Sequence, residues 1–142
     1  MPNVHLRQLD EDMLVAGQLQ PAEIEGLAGR VALIVNNRPD GEQPGQPSNA
    51  EMAAAAEAAG IEYRHIPISG GFSEAQVEEM AGLLDAAKGT ALAFCASGTR
   101  STFLWALARA SKGIDGRELT EKAAAVGYDL SPIRPYLSGS CG

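Results

Sequence analysis

Thr90-Ala91-Leu92-Ala93-Phe94 is an unbroken apolar run that passes directly into Cys95-Ala96-Ser97-Gly98-Thr99-Arg100 and then Ser101. A run of this length bounded by polar residues reads as a strand buried on both faces. Beyond it, Phe103, Leu104 and Leu107 fall at helical spacing, which predicts a helix over 101–110. A buried strand, a Gly-containing turn and a helix in immediate succession form the unit of an α/β sheet.

The flanking sequence repeats the unit. Residues 31–36, Val-Ala-Leu-Ile-Val-Asn, are a second buried-strand run, and residues 61–68 read as a further strand, ending at Pro67. Ser48-Asn49-Ala50-Glu51 and Ser73-Glu74-Ala75-Gln76 are capping boxes, each opening a helix. Gly60 stops the first of these helices and Gly89 the second. Residues 37–47, rich in Pro and Gly, form a surface loop. Residues 4–17 read as two short strands around the acidic turn Asp10-Glu11-Asp12, and Pro21 opens a short helix over 21–27. Asp115 opens a helix to about Val126, and Ser131-Pro132 a last short turn. Strand and helix alternate over 31–110. That pattern predicts crossover connections and a central, mostly parallel sheet flanked by helices, in one domain spanning 1–142.

Composition limits the partners. The chain has 142 residues, with 11 Lys+Arg against 18 Asp+Glu, for a net charge of −7. With no basic run, nucleic acid is not an expected partner. No apolar stretch reaches the ~20 residues of a membrane span, and the first residues lack the apolar core of a signal peptide. The expected location is therefore the cytoplasm, with no membrane contact. Two cysteines, Cys95 and Cys141, and 2 His supply neither a disulfide framework nor a Cys-rich zinc site. No cofactor is expected.

The chemistry concentrates behind the first run. Cys95 stands at the C-terminal end of a buried strand, the edge where open α/β sheets bind ligands. Backbone N–H groups of Ala96, Ser97, Gly98, Thr99 and Arg100 can converge on an anion, aided by the following helix N-terminus. The Arg100 guanidinium is a fork suited to an oxyanion. The same field favours the thiolate form of Cys95. A simpler reading makes Cys95 a buried hydrophobe, but that leaves Gly98, Arg100 and Ser101 at one junction unexplained.

Cys95-Ala96-Ser97-Gly98-Thr99-Arg100-Ser101 resembles the active loop shared by rhodaneses and cysteine-dependent phosphatases. Together with Asn36-Asn37-Arg38-Pro39-Asp40-Gly41-Glu42 and Tyr63-Arg64-His65-Ile66-Pro67-Ile68, it resembles the bacterial phosphatase-like family related to the N-terminal domains of beta-lactamase-like hydrolase fusions. That family is also labelled as sulfur transferases. The resemblance covers roughly residues 3–112 and implies the fold of dual-specificity phosphatases.

Two departures bear on the activity. Four residues separate Cys95 from Arg100, where phosphatases of this fold have five; the shorter loop is rhodanese-like. Phosphatases also place an acidic proton donor after the Ile-Pro strand, where this chain has Ser69-Gly70-Gly71-Phe72. An alkoxide or phenolate leaving group needs a proton, whereas sulfite does not. Both departures favour sulfur transfer from a thiosulfate-type donor through a Cys95 persulfide. Phosphomonoester hydrolysis through a phosphocysteine is the alternative, and a non-catalytic anion-binding module a further one. The expected partner is a small anion, either thiosulfate or persulfide or a phosphate ester.

Asp40 is the candidate replacement acid, or else a turn residue of Pro39-Asp40-Gly41. Arg38 is a candidate second cation beside the cradle. Ser101 can donate to the Cys95 thiolate, as the matching hydroxyl does in the phosphatases, or simply open the helix. His65, Phe103 and Trp105 read as structural. Cys141 is an incidental thiol or an acceptor for a persulfide on Cys95.

Overall fold

The computed structural model describes residues 6–137. Its elements are β1 (Arg7–Asp10), β2 (Met13–Ala16), α1 (Pro21–Glu25), β3 (Leu33–Asn36), α2 (Asn49–Ala58), β4 (Glu62–His65), α3 (Glu74–Ala86), β5 (Ala91–Phe94), α4 (Thr99–Ser111), α5 (Gly116–Ala125), a 3-10 turn (Ser131–Ile133) and α6 (Arg134–Leu137). The five strands form one sheet in the order β1-β2-β5-β3-β4. The β1–β2 hairpin is antiparallel, with a register break between Gln8 and Asp10; every other pair is parallel. This is the mostly parallel, helix-flanked sheet that the alternation of patterns implies.

β3 and β5 are buried along their whole length, which is why they read as apolar runs without alternation. Their side chains still divide between two layers, because successive residues of a strand point to opposite faces. Leu33, Val35, Ala91 and Ala93 pack with Met80 and Leu84 of α3 and Leu104 and Trp105 of α4. Ile34, Leu92 and Phe94 pack with Ile24 of α1 and Met52 of α2. Ala93, Ala106 and Ala108 are fully buried beside Trp105. Small side chains let α4 lie close to the sheet, and one large indole fills the space that remains.

Both capping boxes close. Ser48 Oγ accepts the Glu51 N–H at 3.1 Å, and Glu51 Oε1 accepts the Ser48 N–H at 2.8 Å. Ser73 and Gln76 do the same at 3.1 and 2.9 Å. Among the boundaries that differ from the sequence reading, two bear on the site. β4 is an edge strand of four residues, although Ile66 and Ile68 go on donating to the carbonyls of Asn36 and Asn37 at 2.9 and 3.0 Å. Helix α4 starts at Thr99, two residues before the predicted Ser101, because Gly98 takes up a left-handed conformation (φ 91°) and turns the chain at once. Among the described residues no helix is long and apolar enough to cross a membrane.

The parallel strands end level with one another. Ala16 pairs with Phe94, Phe94 with Asn36, and Asn36 with His65. The segments after β2, β3, β4 and β5 therefore leave from a single edge, and three of them meet around Cys95.

Candidate active site

Cys95 follows β5 and is fully buried. Its N–H donates to the Ala16 carbonyl at 3.3 Å, which fixes its backbone to the end of β2. Its Sγ accepts the Gly98 N–H at 3.1 Å. The loop after Cys95 therefore curls with at least one amide aimed at the sulfur, an arrangement that stabilises a negative charge there. The Ala96 and Ser97 carbonyls are held by groups outside the curl. Gln18 N–H donates to Ala96 O at 3.4 Å and Tyr128 Oη donates to Ser97 O at 3.0 Å.

Arg100 lies in the first turn of α4. Its Nη1 donates to Glu42 Oε2 at 2.7 Å and to the Ile68 carbonyl at 2.9 Å, and its Nη2 donates to Glu42 Oε1 at 3.0 Å. This is a fork-on-fork pair, geometrically specific as well as strong. Three of the five guanidinium protons are thereby committed. The guanidinium also hydrogen-bonds the Cys95 sulfur. The Arg100 pKa is raised, first by the hydrogen bond to Glu42 and then by the charges of Cys95 and Glu42, with partial burial opposing.

Glu42 also accepts from Arg38 Nε at 2.8 Å. With two guanidinium groups on one carboxylate, its pKa falls to about 2, the Arg100 hydrogen bond contributing most. Glu42 is therefore an ionised positioning group and not a proton donor near neutral pH. It lies in the loop between β3 and α2, outside the sequence-derived set of site residues. The one available signal was its place at the end of the Asn36–Glu42 block.

The loop that carries Glu42 is tied down at several points. Asn36 Oδ1 accepts the Arg38 N–H at 2.8 Å, and Arg38 Nη1 donates to Gln18 Oε1 at 3.0 Å. Gln46 Nε2 donates to the Pro39 carbonyl at 2.8 Å, and His65 Nε2 lies 2.9 Å from the Arg38 carbonyl. The half-buried Tyr63 hydroxyl links Asn36 to Asn49, and burial pushes its pKa up to about 12.

These contacts give three of the candidate residues partners other than a bound anion or the sulfur. The exposed Asp40, the candidate acid, accepts the Asn49 N–H at 2.6 Å at the start of α2, so its carboxylate acts as a cap there. Ser101 is inside α4 and fully buried, and its hydroxyl donates to Asn37 Oδ1 at 2.8 Å and not to the sulfur. Arg38 is buried beside the cradle and reaches it through Glu42 and Gln18. The structure does bring Cys95, Gly98 and Arg100 together. Cys141 lies outside the described residues.

The family described as "Beta-lactamase hydrolase-like protein, phosphatase-like domain" matches residues 5–112. The chain belongs to this family. A beta-lactamase hydrolase-like protein of Agrobacterium fabrum (strain C58) is 36% identical over 133 residues, covering 92% of this chain and 31% of that protein. The chain thus spans about a third of the length of the curated relatives it matches. A crystal structure of a provisionally assigned phosphatase from Neisseria meningitidis Z2491 superposes with a TM-score of 0.80 at 32% identity, covering 94% of this chain and 96% of that one. The kinase associated phosphatase, solved with its catalytic-site cysteine replaced by serine, has a TM-score of 0.72 at 15% identity, covering 96% of this chain and 90% of that one. The family member described here has the fold of the cysteine-dependent phosphatases.

Proposed function

We propose that the domain is a cysteine-dependent phosphohydrolase acting on phosphomonoesters with good leaving groups. The observation that carries this reading is the Arg100 guanidinium, locked on Glu42 by both terminal nitrogens and hydrogen-bonded to the Cys95 sulfur. A fixed guanidinium facing a thiolate and an inward amide matches the trigonal oxygens of a phosphoryl group in transfer. The Cys95 thiolate attacks phosphorus, the bond to the leaving oxygen breaks, and that oxygen departs with the electron pair. Water then attacks the phosphocysteine, releasing phosphate and restoring the thiolate.

The leaving group is where the site is restrictive. Glu42 is ionised, Asp40 caps α2, and residues 69–72 carry no carboxylate. An aryloxide departs without a strong acid, whereas an alkoxide does not. The same observation favours a second reading, sulfur transfer, in which thiosulfate gives its outer sulfur to Cys95 and sulfite leaves unaided.

A side-by-side assay separates the two readings. An aryl phosphate should be hydrolysed with transient gain of phosphate on Cys95, seen by rapid-quench mass spectrometry. Thiosulfate should leave the Cys95 mass unchanged. A stable gain of one sulfur that cyanide removes, with no ester turnover, would replace the first reading by the second.

A further inference from the structure

Tyr128 follows α5, 31 positions from the cradle in sequence and outside the 5–112 span that matches the family. Its hydroxyl donates to the Ser97 carbonyl at 3.0 Å. That carbonyl belongs to the same peptide unit as the Gly98 N–H, which donates to Cys95 Sγ at 3.1 Å. In a trans peptide the C=O and N–H point in opposite directions, and no peptide among the described residues is cis. One peptide therefore bridges a phenol and a thiol. A hydrogen bond accepted by its oxygen polarises the unit and makes its N–H a stronger donor.

The contact is close-fitting. A Cβ on Gly98 would lie 2.2 Å from Tyr128 Oη, so the hydroxyl rests directly against the glycine. The Arg7 guanidinium of β1 lies 5.3 Å from the centre of the Tyr128 ring and donates to the Val126 carbonyl. A cation over the ring withdraws density from it and sharpens the hydroxyl as a donor.

We infer that Tyr128 is a positioning residue for the reaction, holding the 97–98 peptide so that its N–H stabilises the Cys95 thiolate. The inference rests on the thiolate role proposed above, whichever substrate the thiolate attacks. The charged and titratable groups around the thiolate are Arg100 from α4, Tyr128 itself, Arg7 behind Tyr128, and Glu42 with Arg38 behind Arg100. The Tyr128 phenol is pushed up, chiefly by burial and further by the negative charge of Cys95, with Arg7 opposing. It therefore stays protonated, and a donor, around neutral pH.

The test is the pH dependence of Cys95 alkylation by iodoacetamide, in a Cys141→Ser background so that one thiol is counted. Tyr128→Phe keeps the ring and removes the hydroxyl. The alkylation midpoint should move up by about 0.5 pH unit, with an approximately threefold loss of rate below the midpoint. Aryl phosphate turnover should lose kcat over the same pH range, with KM nearly constant. Should Tyr128→Phe not fold, as read by circular dichroism, Arg7→Gln takes its place, with a smaller shift in the same direction. An unmoved midpoint in the folded variant overturns the inference. Alkylation needs no substrate, so a shifted midpoint without ester turnover would sink the phosphatase reading and leave the role of Tyr128 standing.

Discussion

The carboxylate of Glu42 grips the guanidinium of Arg100 across 58 positions of sequence, Oε2 on Nη1 at 2.7 Å and Oε1 on Nη2 at 3.0 Å. Arg100 is therefore presented to the cradle in one orientation. Removing the fork should cost catalysis more than folding. Glu42→Gln should lower kcat/KM on an aryl phosphate by about 10–100-fold, the scale on which misplacement of a reacting group is felt. Arg100→Lys should lose at least as much although charge is kept, because an ammonium cannot make the paired contact. Steady-state kinetics on the two variants checks both.

The same pair sets a pH dependence of stability. The folded-state pKa of Glu42, about 2, lies below its ordinary value of 4.5. Its stabilising contribution is complete above the ordinary value and is lost as pH falls from there through about 2. In Glu42→Gln that part of the acid limb should vanish. The difference in Tm between parent and variant should narrow as thermal melts are taken down through this window.

Cys95→Ser should abolish turnover and leave the fold intact. The side chain is fully buried and of nearly the same size, and the amide that reaches its sulfur can reach an oxygen. A loss of stability of about 1 kcal/mol is expected, the size of an ordinary point substitution. Denaturant unfolding measures it beside the assay, and retained turnover would remove Cys95 as the nucleophile.

Asn37 is fully buried, donates to the Ile66 carbonyl at 2.9 Å and accepts from Ser101 at 2.8 Å. It thus ties the start of the loop after β3 both to the end of β4 and to α4. Asn37→Ala leaves two buried partners unsatisfied, so unfolding free energy should fall by roughly 2–4 kcal/mol at the usual cost per orphaned group. Urea titration gives the value.

Gly98→Ala faces two penalties at once, a φ of 91° and a Cβ placed 2.2 Å from Tyr128 Oη. The conformational part alone is worth about 1–2 kcal/mol. The variant should melt lower than the parent and alkylate more slowly at Cys95.

The parts legible in the sequence are those whose signals are local. The two capping boxes join residues three apart, and β3 and β5 announce themselves by unbroken burial. Cys95, Gly98 and Arg100 fall within a six-residue stretch. The missing parts are long-range pairings with no local signature. Glu42 reads as one of two acids in a Pro- and Gly-rich loop, Tyr128 as a residue after a helix-ending glycine, and Asn37 as the first residue of a loop. Ser101 shows the converse. Its spacing from Cys95 suits a hydroxyl–thiolate contact, yet the register of β3 against β5 places Asn37 within its reach first.

The rims of the sheet bear on the longer polypeptides of the family. β1 is four residues long, is broken in register before Asp10, and carries the exposed Arg7 and Gln8. β4 on the opposite rim carries Glu62 and Arg64, paired with each other at 3.0 Å. Short, kinked or charged rims give a foreign strand no flat row of amides on which to add. The domain can therefore be tethered next to other folded units, at the high local concentration a shared polypeptide imposes, without its sheet annealing to theirs.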